Sequence, residues 1–159
     1  LRNLKHDIRP DLEESPAIPE RARPRILAIL DALPDGDRLC HGDFHPGNIF
    51  MTASGPAIID FPNSVGGDPL ADFARTQLLL EAREPPPGTN RYQLLLVRTG
   101  RRLMRRAYTS AYRAAAPVDD ATLARWGAVT IARRLTERLP EEPVRLLRRL
   151  SRALREAEA

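Results

Sequence analysis

The sequence predicts an α+β domain that is mostly helical with one short β-hairpin, and three observations carry the prediction. Leucine- and arginine-rich stretches at helical spacing fill the second half of the chain. Two short apolar runs, Ile49-Phe50-Met51 and Pro56-Ala57-Ile58-Ile59, flank the turn-forming Thr52-Ala53-Ser54-Gly55. Between Leu39 and Asp72 the apolar pattern gives way to His, Asp, Asn and Gly set among short strands. A length of 159 residues suits one core, and 42% hydrophobic with 29% charged residues excludes wholesale disorder. No window approaches the ~18 unbroken apolar residues of a membrane span, and Leu1 to Pro10 is charged rather than an apolar signal core. The single Cys40 excludes an internal disulfide. A soluble, cytoplasmic protein is the expectation.

Taken in order, the segment 1–23 holds Pro10, Pro16 and Pro19 with an acidic Asp11, Glu13, Glu14 cluster, and is expected to be an extended connector. A helix is expected from Pro24 to Leu33, where proline suits the first turn and Ile26, Leu27, Ile29, Leu30 and Leu33 form a stripe. Pro34-Asp35-Gly36-Asp37 is turn chemistry leading to Arg38-Leu39-Cys40 and the polar stretch His41 to Asn48. The hairpin follows and its far strand ends in Asp60. Phe61 to Pro69 reads as a loop, and Leu70 to Glu81 as a helix with Leu70, Phe73, Ala74, Gln77, Leu78 and Glu81 on one face. Three consecutive prolines within Glu84 to Gly88 break that helix. Further helices are expected near 91–115, 120–139 and 143–156, the second capped by Asp119 or Asp120. No fixed-period repeat is present.

Charge is divided unevenly. Through residue 80 there are 8 basic and 12 acidic residues, and beyond it 17 and 9, so the net +4 is a basic C-terminal half set against an acidic N-terminal one. Lys5 is the only lysine among 25 basic residues. Arginines at 101, 102, 105 and 106, and again at 145, 148, 149, 152 and 155, are interleaved with leucines. Such a surface can meet phosphate backbones. The favoured reading is an amphipathic pattern in which Leu146, Leu147, Leu150 and Leu154 face the core while arginines are solvated or paired with Glu137, Glu141, Glu142, Glu156 and Glu158. Nucleic acid is therefore not an expected partner.

Functional residue types concentrate in His41-Gly42-Asp43-Phe44-His45-Pro46-Gly47-Asn48, Ile58-Ile59-Asp60-Phe61 and Gly67-Asp68-Pro69-Leu70-Ala71-Asp72. Asp43 alone reads as a turn former, Asn48 as a turn residue and Asp60 as a strand-terminating cap; their joint spacing says more. Asp60 and Asn48 offer oxygen ligands of the kind a hard divalent cation takes, and Asp43, on the same loop as Asn48, is a carboxylate able to orient and deprotonate a hydroxyl. Gly42 and Gly47 permit a tight backbone path that Pro46 stiffens.

This stretch resembles the aminoglycoside phosphotransferase and choline kinase-like family, whose fold is related to protein kinases: H-G-D-x-x-x-x-N matches 41–48, I-D-[FW] matches 59–61 and G-D-P-x-x-D matches 67–72. The resemblance implies a kinase-like C-terminal lobe over 24–159, with its catalytic core at 38–75 and a helical substrate-side region at 90–157. It implies Asp43 as catalytic base, Asn48 and Asp60 as Mg2+ ligands, His41, Gly42 and Asp72 as residues that structure the loop, and ATP or GTP as phosphoryl donor to a small-molecule hydroxyl. His45 either packs or approaches the phosphates, and Asp68 is expected to cap a helix. Pro62-Asn63 stands where protein kinases carry glycine, which casts doubt on a mobile, regulated loop there.

Kinases of this type also grip the α- and β-phosphates through an upstream lobe with a glycine-rich loop and a lysine. No such loop precedes His41, and Lys5 lacks the strand context for that role. The expectation is thus a chain that works with an N-terminal lobe and is inactive alone. Three other functions compete: a catalytically silent kinase-fold scaffold, a His41-x-Asp43-x-His45 transition-metal hydrolase, and the arginine-rich nucleic-acid module. The acceptor is not legible. Glu81, Glu84, Asp119 and Asp120 could receive a cation, but a solvated surface is the preferred reading for them.

Overall fold

A computed structural model describes residues 1–82, 90–137 and 143–157. Among these residues the order is α1 (Leu4–Glu14), α2 (Arg23–Ala32), β1 (Arg38–Cys40), β2 (Ile49–Thr52), β3 (Gly55–Ile58), β4 (Val65–Gly67), α3 (Pro69–Ala82), α4 (Arg91–Ala115), α5 (Asp120–Thr136) and α6 (Pro143–Ala157). The α+β expectation is met. No described helix is long and apolar enough to cross a membrane. The proline-rich break expected at Glu84 to Gly88 falls outside the described residues, as does the end of the helix expected to reach Leu139.

Residues 1–23 are not an extended connector. Asn3 caps α1 by accepting from the His6 N–H at 3.2 Å, and Leu4, Ile8 and Leu12 lie one turn apart and are buried in the core. Pro10 sits inside this helix; it removes one backbone donor, and burial of the apolar stripe outweighs that loss. Ahead of the helix, the Gly66 N–H donates to Arg2 O at 2.7 Å, laying the N-terminus along β4. A Cβ on Gly67 would come 2.8 Å from Leu4 Cβ, so only glycine lets α1 sit this close to the strand.

Helix α2 begins with Pro24 in its first turn and ends as the Leu33 N–H reaches back to Ile29 O and Leu30 O. Lys5 closes that end, its Nζ donating to Leu33 O at 2.8 Å and to Asp31 O at 3.3 Å. The lone lysine therefore joins α1 to α2.

Two antiparallel pairs follow. The expected hairpin is β2–β3, with Ile49 opposite Ile58 and Thr52 opposite Gly55. A second pair joins β1 to β4, Cys40 opposite Val65 and Arg38 opposite Gly67, in a stretch whose second half reads as loop from sequence. Asp68 then starts α3: its Oδ1 accepts from the Leu70 N–H at 2.9 Å while Oδ2 accepts from Trp126 Nε1 at 2.7 Å. The expected cap is thus also a tie to α5. Helix α3 is buried on more than the one predicted face, since Ala71, Thr76 and Leu80 are covered as well as Leu70, Phe73, Ala74 and Leu78. It is sandwiched: α5 packs on it, α6 packs on α5, and α4 leans across it through Tyr108 and Tyr112, the latter stacked on Phe73 at 4.0 Å between ring centroids. Of the α6 leucines expected to face the core, Leu146, Leu150 and Leu154 are buried and Leu147 is partly buried against it. Asp119 caps α5 by accepting from the Thr122 N–H at 2.8 Å.

Candidate active site

Strand β1 drops Cys40 into the core and the chain emerges as the His41–Asn48 loop, above the first turns of α3. His41 is 5% exposed. Its Nδ1 accepts from the Asp43 N–H at 3.2 Å and its Nε2 lies 3.0 Å from Ile59 O, so one tautomer, with the proton on Nε2, satisfies both ends of the ring. The imidazole thereby bridges the loop to the exit of β3 and rests against Phe61, 4.7 Å between centroids. Gly42 takes φ +78°, and a Cβ there would meet Asn63 O at 2.8 Å. In that conformation the N–H groups of His41 and Gly42 both donate to the Asp72 carboxylate, at 3.0 and 2.8 Å. One carboxylate from α3 fixes two consecutive amides.

Asp43 is half-buried, and its Oδ2 lies 3.5 Å from His45 Nε2. His45 is itself held, because its Nδ1 accepts from the Gly47 N–H at 3.0 Å and caps a single 3-10 turn at Pro46–Asn48. Asn48, 7% exposed, donates from Nδ2 to Asp43 O at 2.9 Å, which leaves Oδ1 as the atom of that side chain able to ligate a cation. Its backbone carbonyl accepts from the Ile59 N–H at 3.0 Å. The next residue, Asp60, turns into the left-handed region at φ 68°, exposed, with no hydrogen bond or ion pair to its carboxylate among the described residues. Aspartate tolerates that conformation better than most side chains.

The structure therefore brings His41, Gly42, Asp43, His45, Asn48 and Asp72 into one bonded loop and sets Asp60 beside it through the Asn48–Ile59 pair. The free donors are oxygens, Asn48 Oδ1 and the Asp60 carboxylate, residues that would suit a hard ion such as Mg2+. Both nitrogens of His41 and Nδ1 of His45 are spent on the protein, which leaves His45 Nε2, 3.5 Å from Asp43 Oδ2, as the ring nitrogen of this loop without a backbone partner. Among the described residues no three His, Cys, Asp or Glu side chains converge to hold a metal.

Sequence reasoning did not single out Arg75, and it named Glu137 only as a partner for the C-terminal arginines. Arg75 Nε donates to Gly42 O at 3.2 Å, and its Nη2 pairs with Glu137 Oε1 at 2.6 Å, while Arg134 Nη1 holds Glu137 Oε2 at 2.6 Å. Burial lowers the Arg75 guanidinium from its usual range, and the Glu137 carboxylate works in the opposite direction. The available signal was position: Arg75 lies three residues after Asp72 on the same helix face. Burial, aided by Asp72 and Asp68, pushes the Cys40 thiol up to about 12, so it is no nucleophile. Phe44, on the loop, packs 5.9 Å from Tyr108 of α4, whose hydroxyl burial pushes up to about 12. Of the acidic residues considered for a cationic acceptor, Glu81 binds Arg105 and Arg149, Asp119 caps α5 and Asp120 pairs with Arg113; Glu84 lies outside the described residues.

No curated protein and no solved structure matches the chain. A family model does: the phosphotransferase enzyme family, over residues 2–102, a span that runs from the start of α1 through β1–β4 and α3 into α4 and takes in the His41–Asn48 loop, Asp60, Asp72 and Arg75, while Tyr108, Arg134 and Glu137 lie beyond it. With more than half of its 159 residues matched, and with the 41–48, 59–61 and 67–72 motifs inside the match, the chain belongs to the phosphotransferase enzyme family.

Proposed function

We propose that the protein transfers the γ-phosphoryl group of ATP or GTP to a hydroxyl of a small molecule, with Asp43 as the base and Asn48 and Asp60 as the residues that hold Mg2+. One observation supports this above the rest. The loop that carries Asp43 is tied at the Asp43 carbonyl to Asn48 and, through the Asn48 carbonyl, to the residue before Asp60, so the carboxylate and the oxygen donors are parts of one hydrogen-bonded unit. Mg2+, when bound, supplies neutralisation of the phosphate oxygens.

The chain's own residues do the rest. Asp43 orients the acceptor hydroxyl and takes its proton as that oxygen bonds to the γ-phosphorus and the bond to the bridging oxygen breaks, releasing the nucleoside diphosphate. His45 flanks the carboxylate, its Nε2 3.5 Å from Asp43 Oδ2. Asp72, His41 and Gly42 set the backbone from which Asp43 projects. The α- and β-phosphates are gripped by an upstream lobe in this reading; support comes from Lys5, the one lysine, which is committed to the end of α2.

The test is transfer from radiolabelled Mg·ATP and Mg·GTP to a panel of hydroxyl acceptors by the intact protein. Asp43→Asn should lower kcat by about 10²- to 10⁴-fold with folding unchanged by circular dichroism, and chelation of Mg2+ should abolish transfer. Undiminished turnover in Asp43→Asn removes the base assignment.

A further inference from the structure

Asp72 explains how the His41–Gly42 amides are held, but it leaves unanswered what fixes the peptide that leads directly into Asp43. The carbonyl of that peptide belongs to Gly42 and accepts from Arg75 Nε at 3.2 Å; its N–H belongs to Asp43 and donates to His41 Nδ1 at 3.2 Å. The plane is thus gripped at both ends. Asp72 and Arg75 are three residues apart on α3 and face the loop together, the carboxylate taking N–H groups and the guanidinium taking a carbonyl. Glycine at φ +78° lets the backbone present amide and carbonyl to the two in succession.

Arg75 is itself locked. Its Nη2 is paired to Glu137 at the end of α5, and Arg134 holds the other oxygen of that carboxylate. The side chain is mostly buried and its Nη1 has no partner among the described residues, an arrangement that costs stability.

We propose that Arg75 is a positioning residue for Asp43, fixing the Gly42–Asp43 peptide from its carbonyl side and coupling it to the α5 terminus through Glu137. The functional part of the proposal rests on Asp43 being the base; the structural part does not.

Single-amide hydrogen exchange on the full chain reads the structural part directly. In Arg75→Met the Asp43 amide should exchange roughly tenfold faster while the Leu78 amide, deeper in α3, keeps its rate. Arg75→Lys should recover part of the protection, and Arg105→Met, which removes a distant ion pair to Glu81, should leave Asp43 unchanged. An Asp43 rate within about twofold of the parent in folded Arg75→Met, or equal acceleration along all of α3, overturns the proposal. If Arg75→Met does not fold, Glu137→Gln decides: it retains Arg75 but loosens its fork, and should speed the Asp43 amide about threefold, whereas no change there overturns the proposal.

In the transfer assay Arg75→Met should lose about 10- to 100-fold in kcat with KM for Mg·ATP held within about twofold, and Arg75→Lys should regain part of it. A raised KM with kcat intact would mean that Arg75 acts in binding, against the proposal. Should Asp43→Asn prove fully active while Arg75→Met still frees the Asp43 amide, the base assignment falls and the peptide clamp stands.

Discussion

Replacing Asp68 with alanine removes two hydrogen bonds from a residue 8% exposed: the cap on the Leu70 amide and the partner of the Trp126 indole. Loss of an N-cap costs about 0.5–2 kcal/mol. The indole N–H, on a tryptophan 1% exposed, is left buried without an acceptor, worth about 1–3 kcal/mol. Together these give about 2–4 kcal/mol, since both losses fall on one carboxylate and partial relaxation keeps them from adding fully. Asp68→Asn preserves an oxygen for Leu70 but turns an NH2 toward the indole, so it should cost about 1–3 kcal/mol. In urea denaturation, with a slope of about 1–3 kcal/mol/M, Asp68→Ala should move the midpoint down by about 1–2 M. A double-mutant cycle with Trp126→Phe isolates the pair: once the donor is gone, Asp68→Ala should cost about 1–2 kcal/mol less than in the parent. A loss below about 0.5 kcal/mol for Asp68→Ala, or strict additivity in the cycle, would refute the idea that this carboxylate locks α3 to α5.

Leu12→Ala should destabilise the protein by about 2–5 kcal/mol in the same denaturation assay, because Leu12 is fully covered within the core; a change near zero would return residues 1–23 to the role of a connector. Cys40, whose thiol burial holds near 12, should resist maleimide labelling at pH 8 until the chain unfolds. The same displacement has a stability sign. The folded value lies above the ordinary 9.0, so the contribution is complete below pH 9 and is lost as pH rises from about 9 to about 12, a loss that Cys40→Ser should reduce when Cm is followed across that window.

What the sequence made legible was local. Gly55 in a four-residue turn between apolar runs placed the β2–β3 hairpin, and the leucine spacing of α6 placed its buried face. Helix α1 was hidden by Pro10, although Leu4, Ile8 and Leu12 carry a clean one-turn spacing; a proline inside a helix is a local penalty, and the compensating burial against α2, α5 and β4 is not written in adjacent residues. Strand β4 escaped for the opposite reason. Val65-Gly66-Gly67 has no alternation to read; Gly67 is required by the close approach of Leu4, and Gly66 bonds Arg2 through its backbone N–H. The far strand also ends at Ile58, two residues before the Asp60 end that the sequence suggests: the Ile59 N–H still bonds its in-register partner Asn48 O, and Asp60 then turns left-handed.

The candidate site divides along the same line. Asp43, Asn48, Asp60 and Asp72 were visible because their spacing is fixed within single loops or a single turn of α3. Arg75 and Glu137 were not, since their significance depends on a contact 33 residues apart with Gly42 and on a second with the far end of α5. The polarity of the arrangement shows why α3 needs both. An acidic residue can hold only amides and a basic one only carbonyls, and a loop whose direction reverses at a left-handed glycine exposes each in turn. A carboxylate alone would pin the loop's entry and leave the carbonyl side of the peptide before Asp43 free, with only His41 holding its N–H. The guanidinium one helical turn later removes that freedom, and its pairing to Glu137 makes the α3–α5 packing, the same contact that Asp68 and Trp126 lock from the other side, a determinant of where the Asp43 carboxylate points.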